Sequence, residues 1–210
     1  MTCARAGIIW LHGLGDSGAG WTFLQDELSD LKHITWSFPD APYLPITLAE
    51  NQRMPAWFDI YKIPVSPSSV NAETLDGIND AVATVHRLIE NMKQQGIPAE
   101  RIVVGGFSQG ACTAVLAGLA SNEPIAGIAA FSGWLPHEKH FSAVSPLNRR
   151  VLVAHGTADE VVQFPLGQIL ADRLQAMKHT VEFKTYRGMG HTSNMQEIND
   201  FRTWLSQVLP

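Results

Sequence analysis

Six apolar runs of strand length, separated by stretches of helical period, extend along almost the whole chain. They are Gly7 to Leu11, Ile34 to Phe38, Ile102 to Gly105, Ile125 to Phe131, Val151 to Ala154 and Val181 to Tyr186. Several are rich in Ile and Val, the composition of strands buried on both faces. Between them, Ile78, Val82, Val85, Leu88, Ile89 and Met92 recur at three- and four-residue steps up to Gly96, a residue suited to a left-handed helix cap. Pro165 opens a second pattern through Leu166, Ile169, Leu170 and Leu174, and a third runs from about Asn194 through Ile198, Phe201 and Leu205. Such alternation predicts an α/β fold, a mostly parallel central sheet with helices on both faces. With 210 residues, one domain over 1–210 is expected. Only the proline-rich stretch from Pro39 to Asn71 breaks the rhythm. It reads either as a flap around 53–70 or as an irregular extra strand that patches the core.

Composition removes several classes of function. A hydrophobic fraction of 45% and a charged fraction of 17% fit a soluble globular protein. A net charge of −5 without any Lys/Arg run argues against nucleic acid as a partner. The two cysteines, Cys3 and Cys112, offer no disulfide framework and fit a reducing compartment. The first apolar run is too short for a signal-peptide core or a membrane span, so a cytoplasmic location is expected. Thr2 excludes N-myristoylation; Cys3 is open to a reversible lipid, although a plain thiol is the simpler reading.

The chemistry concentrates at Gly106-Phe107-Ser108-Gln109-Gly110, a GxSxG pattern. The pattern alone is common; its setting between the strand ending at Gly105 and an apolar helix over Ala111 to Leu119 is that of a nucleophile elbow. The flanking glycines permit a tight turn that side chains would obstruct, and the helix start then favours a developing negative oxygen. A serine nucleophile needs a base, and in this architecture the chain order is nucleophile, acid, histidine. The loop after Val151 to Ala154 supplies Asp159, preferred over its neighbour Glu160, and Gly188-Met189-Gly190-His191-Thr192 supplies His191, preferred over His155, which precedes the acid. The remaining histidines, His33, His86, His137, His140 and His179, read as surface or edge residues. No CxxC, HExxH or clustered His pattern supports a metal, and no cofactor is expected.

The first loop carries a rival reading. His12-Gly13-Leu14-Gly15-Asp16-Ser17-Gly18 satisfies GxGxxG after a strand, and Asp40 stands where an acid would hold a ribose in a dinucleotide site. That reading leaves Ser108, Asp159 and His191 as coincidences. The hydrolase reading instead uses the loop to supply a second oxyanion donor, so the backbone N–H groups of Leu14 and Gln109 become the oxyanion hole, with His12 bracing the loop. Because that donor is backbone, Gln109→Ala is expected to be mild.

Taken together, Leu11-His12-Gly13-Leu14-Gly15-Asp16, Met54-Pro55-Ala56-Trp57-Phe58-Asp59, Gly105 to Gly110, Ser132-Gly133-Trp134-Leu135-Pro136 and Gly188-Met189-Gly190-His191 resemble the acyl-protein thioesterase and lysophospholipase branch of the carboxylesterases, α/β-hydrolases, along the whole chain. The resemblance implies a cytosolic serine hydrolase that removes long acyl groups from protein cysteines, with the same Ser108, Asp159 and His191. Lysophospholipase or short-chain carboxylesterase activity is the enzymatic alternative, and a binding protein on the same fold the non-enzymatic one. It further implies a flap over an apolar acyl channel, with Tyr61, Ile63, Trp134 and Leu135 near the chain and Leu14 beside them. The stretch Tyr61-Lys62-Ile63-Pro64-Val65-Ser66-Pro67 departs from the family's usual Gly-containing, acidic version. Acylated proteins or lipids would be the partners, which brings transient contact with a membrane surface, and the weak dimers of some members extend that option to this chain.

Overall fold

A computed structural model describes residues 5–69, 77–136 and 145–210. Cys3, His137 and His140 lie outside the described residues.

Six strands build one parallel sheet: β1 (Ala6–Leu11), β2 (Ile34–Ser37), β5 (Ile102–Phe107), β6 (Gly127–Phe131), β7 (Arg150–Gly156) and β8 (Thr180–Tyr186), in the order β2-β1-β5-β6-β7-β8. Each coincides with one of the six apolar runs, with ends shifted by a few residues. β5 continues to Phe107 because Gly106 and Phe107 still pair with Ala130 and Phe131 of β6. Residues alternate between the two faces of each strand. Ile9, Leu11, Ile102, Val104, Ile128, Ala130, Val151 and Val153 therefore share one buried layer with α2 (Ile78–Gln94), α3 (Gln109–Ala120) and α4 (Phe164–Ala176). Their neighbours Ile8, Trp10, Val103, Ala129, Phe131, Leu152 and Ala154 form the opposite layer with α1 (Phe23–Glu27) and α5 (Met195–Val208).

The helices obey the sequence signals. In α2 the buried positions Ile78, Ala81, Val85, Ile89 and Met92 form one stripe, so the helix lies on the surface of its layer. α3 is buried from Gln109 to Leu119, as its nearly all-apolar sequence requires. Asn194 caps α5 by accepting from the Glu197 N–H at 2.9 Å.

The stretch that broke the alternation begins as an antiparallel hairpin, β3 (Tyr43–Ile46) and β4 (Gln52–Pro55), separate from the main sheet. The chain from Ala56 to Val65 is stitched to the body at both ends. Trp57 and Phe58 are buried, and Val65 forms a parallel bridge with Val162, with Val65 N–H donating to Val161 O at 2.8 Å. The segment thus contains extra strand structure and also patches the core. Among the described residues, no helix is long and apolar enough to cross a membrane.

Candidate active site

The carboxyl ends of β5, β7 and β8 bring three loops together, the position where parallel sheets of this kind gather ligands. Ser108 comes directly after β5, with φ 55° and ψ −120°, a backbone conformation that a residue bearing a side chain seldom adopts. Packing over-determines it. Ser108 N–H donates to Phe131 O at 2.8 Å, and Ser108 O accepts from Cys112 N–H at 3.1 Å. The flanking glycines provide room: a Cβ on Gly110 would lie 2.2 Å from Leu11 O, and one on Gly106 would lie 2.6 Å from the Gly110 carbonyl carbon. The strained torsion belongs to the serine, and the glycines allow the β1 loop to close against it.

His191 Nε2 lies 2.9 Å from Ser108 Oγ, and His191 Nδ1 lies 2.8 Å from Asp159 Oδ2. A carboxylate only accepts, so Nδ1 carries the proton and Nε2 is the lone pair that faces the hydroxyl. Asp159 Oδ1 accepts from the N–H groups of Val161 and Val162, each at 2.9 Å. Burial alone would raise the Asp159 carboxyl. Hydrogen bonds from His155 and His191, the His191 charge and the Val162 N–H outweigh it and hold the group well below the ordinary carboxylate range. Glu160 points to solvent, and His155 is fully buried, its Nε2–H donating to Val162 O at 2.8 Å and lying 3.4 Å from Asp159 Oδ2. His155 thus steadies the acid loop. The acid and histidine loops are tied to each other by Ala158 N–H to Met189 O at 3.0 Å and Gly188 N–H to Thr157 Oγ1 at 2.9 Å. Such a chain of groups can pull a proton from Ser108 and return it to a departing atom.

The β1 loop packs on the elbow: a Cβ on Gly13 would sit 3.4 Å from Ser108 Cβ. The N–H groups of Gly15 and Asp16 are committed, to Pro55 O at 2.8 Å and Gly13 O at 3.3 Å, whereas Leu14 lines the cleft beside Ser108. Gln109 is the first residue of α3, where N–H groups have no intrahelical carbonyl. His12, fully buried, donates from Nδ1 to Gly13 O at 2.7 Å and accepts from Ala41 N–H at Nε2 at 3.0 Å. Asp40 accepts from Gly18 N–H at 2.7 Å, closing this same loop, and α1 beyond it has five residues. The loop therefore lacks the long helix whose N-terminus a dinucleotide pyrophosphate requires.

The Gln109 side chain overturns the expectation of a mild Gln109→Ala. It is fully buried, with Oε1 accepting from Trp57 N–H at 2.9 Å and Nε2 donating to Phe58 O at 2.6 Å. Alanine would strand both backbone groups, so Gln109→Ala is expected to lose about 2–6 kcal/mol of stability in urea titrations, each orphaned group costing about 1–3 kcal/mol. A loss below about 1 kcal/mol would contradict this clamp.

The site opens into a cleft of about 190 Å³, whose wall includes Leu14, Ser108, His191, Ile63 and Trp134. Of the four acyl-channel residues expected, Tyr61 and Leu135 are absent from that wall. Ile60 and Ile63 line the cleft where Tyr61 does not, and Leu135 is buried in the core layer with α3. Val65, Phe107, Val161 and Val162 complete the apolar lining. Val161 and Val162 come just after the acid, and Phe107 is the second residue of the GxSxG pattern; those adjacencies were the signal that could have found them. Phe107 also packs on the His191 ring, centroids 4.7 Å apart. Among the described residues, no group of three or more His, Cys, Asp or Glu is arranged to hold a metal ion.

Beside the histidine loop, Glu197 is fully buried on the first turn of α5, and among the described residues neither carboxyl oxygen meets a partner in good hydrogen-bonding geometry. Burial pushes its carboxyl up to about 8, with the Asp200 charge adding to this and the Ser193 hydroxyl opposing it. The folded chain thus keeps this proton after the unfolded chain has lost it. Stability from this group is full below the ordinary pKa of 4.5 and falls as pH rises to about 8. Glu197→Gln is expected to raise Tm at pH 8 and leave it nearly unchanged at pH 4.5, a difference on the order of 4 kcal/mol. An equal effect at both pH values would contradict this.

Comparison with known proteins then places the chain among relatives. Residues 2–209 match the profile of a family described as phospholipase/carboxylesterase. The chain is 36% identical to acyl-protein thioesterase 1 of Yarrowia lipolytica, over 96% of this chain and 91% of that protein. It is 37% identical to a probable carboxylesterase of Oryza sativa subsp. japonica, over 98% of this chain and 78% of that one. Among solved structures, Arabidopsis thaliana SOBER1 superposes with a TM-score of 0.91 at 32% identity, covering 99% of this chain and 100% of that one.

Proposed function

The chain belongs to the phospholipase/carboxylesterase family of α/β-hydrolases, and on that footing we propose that it is an acyl-protein thioesterase, a serine hydrolase that removes long acyl groups from protein cysteines. The observation that carries this reading is the unbroken relay Asp159, His191, Ser108 at 2.8 and 2.9 Å, opening into a cleft walled by Ile60, Ile63, Val65, Trp134, Val161 and Val162.

In the proposed reaction, His191 Nε2 takes the Ser108 proton as Oγ attacks the acyl carbonyl. The carbonyl oxygen becomes an oxyanion, met by the backbone N–H groups of Leu14 and Gln109, each contributing roughly 3 kcal/mol in the transition state. His191 then hands its proton to the leaving sulfur or oxygen, the bond from the acyl carbon to that atom breaks, and the acyl group stays on Ser108. Water repeats the attack with His191 again as base. Asp159 fixes the ring in the required tautomer and offsets its positive charge. Residues 53–70 act as a flap in this reading: Ile60, Ile63 and Val65 contribute one wall of the acyl channel, held at one end by the Gln109 clamp and at the other by the bridge to Val162.

The same groups would hydrolyse lysophospholipids or short-chain esters, so substrate comparison is the test. With matched thioesters and oxyesters from acetyl to palmitoyl, kcat/KM is expected to rise with chain length and to favour the thioester. A maximum at two to four carbons, with no thioester preference, would replace this reading by a short-chain carboxylesterase.

A further inference from the structure

Leu14, whose N–H is one of the two proposed oxyanion donors, has glycine on both sides. Gly13 and Gly15 tolerate backbone conformations closed to other residues, so torsional preference alone leaves the direction of that N–H loosely set. Consecutive peptide planes around Leu14 are held by hydrogen bonds instead. Trp57 Nε1–H donates to His12 O at 2.8 Å and holds the first plane. His12 Nδ1–H donates to Gly13 O at 2.7 Å and holds the second. The far side of that second plane is the Leu14 N–H itself, because C=O and N–H point in opposite directions across a trans peptide. Pro55 O accepts from Gly15 N–H at 2.8 Å and holds the third. The His12 proton is fixed on Nδ1, since Nε2 accepts from Ala41 N–H at 3.0 Å. Gln109, which carries the other oxyanion donor, is tied to the same segment. Its side chain accepts from Trp57 N–H at 2.9 Å and donates to Phe58 O at 2.6 Å.

We propose that Trp57 is a positioning residue for the reaction, tying the two oxyanion donors into one frame: its indole N–H aims Leu14, and its backbone N–H anchors Gln109. This rests on the acyl-hydrolase reading above and assigns what keeps the oxyanion hole of that same site in shape. Trp57 is 1% exposed and outside the cleft wall, so it acts through these neighbours and touches no substrate. Its ring also packs against the His12 ring, centroids 5.4 Å apart. Without the indole donor, His12 O loses its partner, the first plane is free to turn about the Gly13 torsions, and the Leu14 N–H turns with it. Oxyanion donors help only when aimed at the place where the negative oxygen forms. The loss therefore falls on the transition state rather than on substrate binding.

Trp57→Phe in the intact chain removes the indole N–H. Replacing Trp57 by 3-benzothienylalanine puts sulfur in place of that N–H at nearly unchanged shape, and decides the matter if the phenylalanine variant does not fold. Both changes keep the Trp57 backbone N–H and with it the Gln109 clamp. With a long-chain acyl thioester, kcat is expected to fall about tenfold to a hundredfold, a misaimed donor costing less than the roughly 10²–10³ of a missing one. KM should change by less than about twofold. A matched inhibitor pair separates aim from general damage: a long-chain alkyl trifluoromethyl ketone and the carbinol made by reducing it. Ser108 Oγ bonds the ketone carbon, its proton passes to His191 Nε2, and the carbonyl electron pair becomes an oxyanion. The carbinol cannot react in this way and reports the channel alone. In both variants the ketone should weaken by about the factor lost from kcat, while the carbinol stays within about twofold of its affinity for the parent. Equal weakening of ketone and carbinol, or an unchanged kcat, overturns the frame alone. No turnover of the thioester by the parent chain overturns the hydrolase reading, and the frame with it.

Discussion

Replacing Ser108 by Ala is expected to lower kcat about 10⁶-fold while Tm stays within a few degrees of the parent. The chemical loss is complete because no other hydroxyl faces His191 Nε2 in the relay. The structural loss is small because alanine keeps the Cβ and both backbone hydrogen bonds, to Phe131 O and from Cys112 N–H. Steady-state kinetics on a long-chain acyl thioester, with a thermal melt on the same sample, checks both halves. A variant that keeps a tenth of the parent rate would remove Ser108 from the chemistry.

Asp159→Asn is expected to cost about 10⁴-fold in kcat, and the surroundings give the reason. Oδ1 is held by two backbone donors, Val161 and Val162, so the amide oxygen of an asparagine must take that place. The NH₂ group is then left facing His191 Nδ1 and His155 Nε2. Facing a donor, His191 must accept at Nδ1 and carry its proton on Nε2, the tautomer that cannot take the Ser108 proton. The imidazolium formed during reaction would also lose its countercharge. The predicted signature is a collapse of kcat with KM altered far less. A loss under tenfold would mean that the Asp159 carboxylate does not set the tautomer.

The fold was legible because the six strands are nearly continuous apolar runs, and the helical segments between them dictate the parallel topology. The positions of Ser108, Asp159 and His191 were legible from chain order and from the glycine-bounded loops that hold them. Three residues were not. Gln109 reads as a backbone donor in the elbow, and nothing local says that its amide spans 51 and 52 residues to clamp Phe58 and Trp57. Tyr61 and Ile63 look equivalent in the proline-rich stretch, where no strand or helix period tells that Ile63 lines the cleft and Tyr61 does not. Glu197 occupies a helix first turn where an acid is ordinary, so its burial beside Asp200 is a property of the packed loops alone. Each of these depends on contacts between segments distant in sequence.

The proposed reaction depends on the relay making Ser108 Oγ nucleophilic. The most direct measurement is mass spectrometry of the intact chain and its peptides after brief exposure to a long-chain alkyl fluorophosphonate at neutral pH. One adduct per chain is expected, on the peptide that contains Ser108, with no adduct in Ser108→Ala. An unlabelled parent chain, or a label that remains in Ser108→Ala, would contradict it.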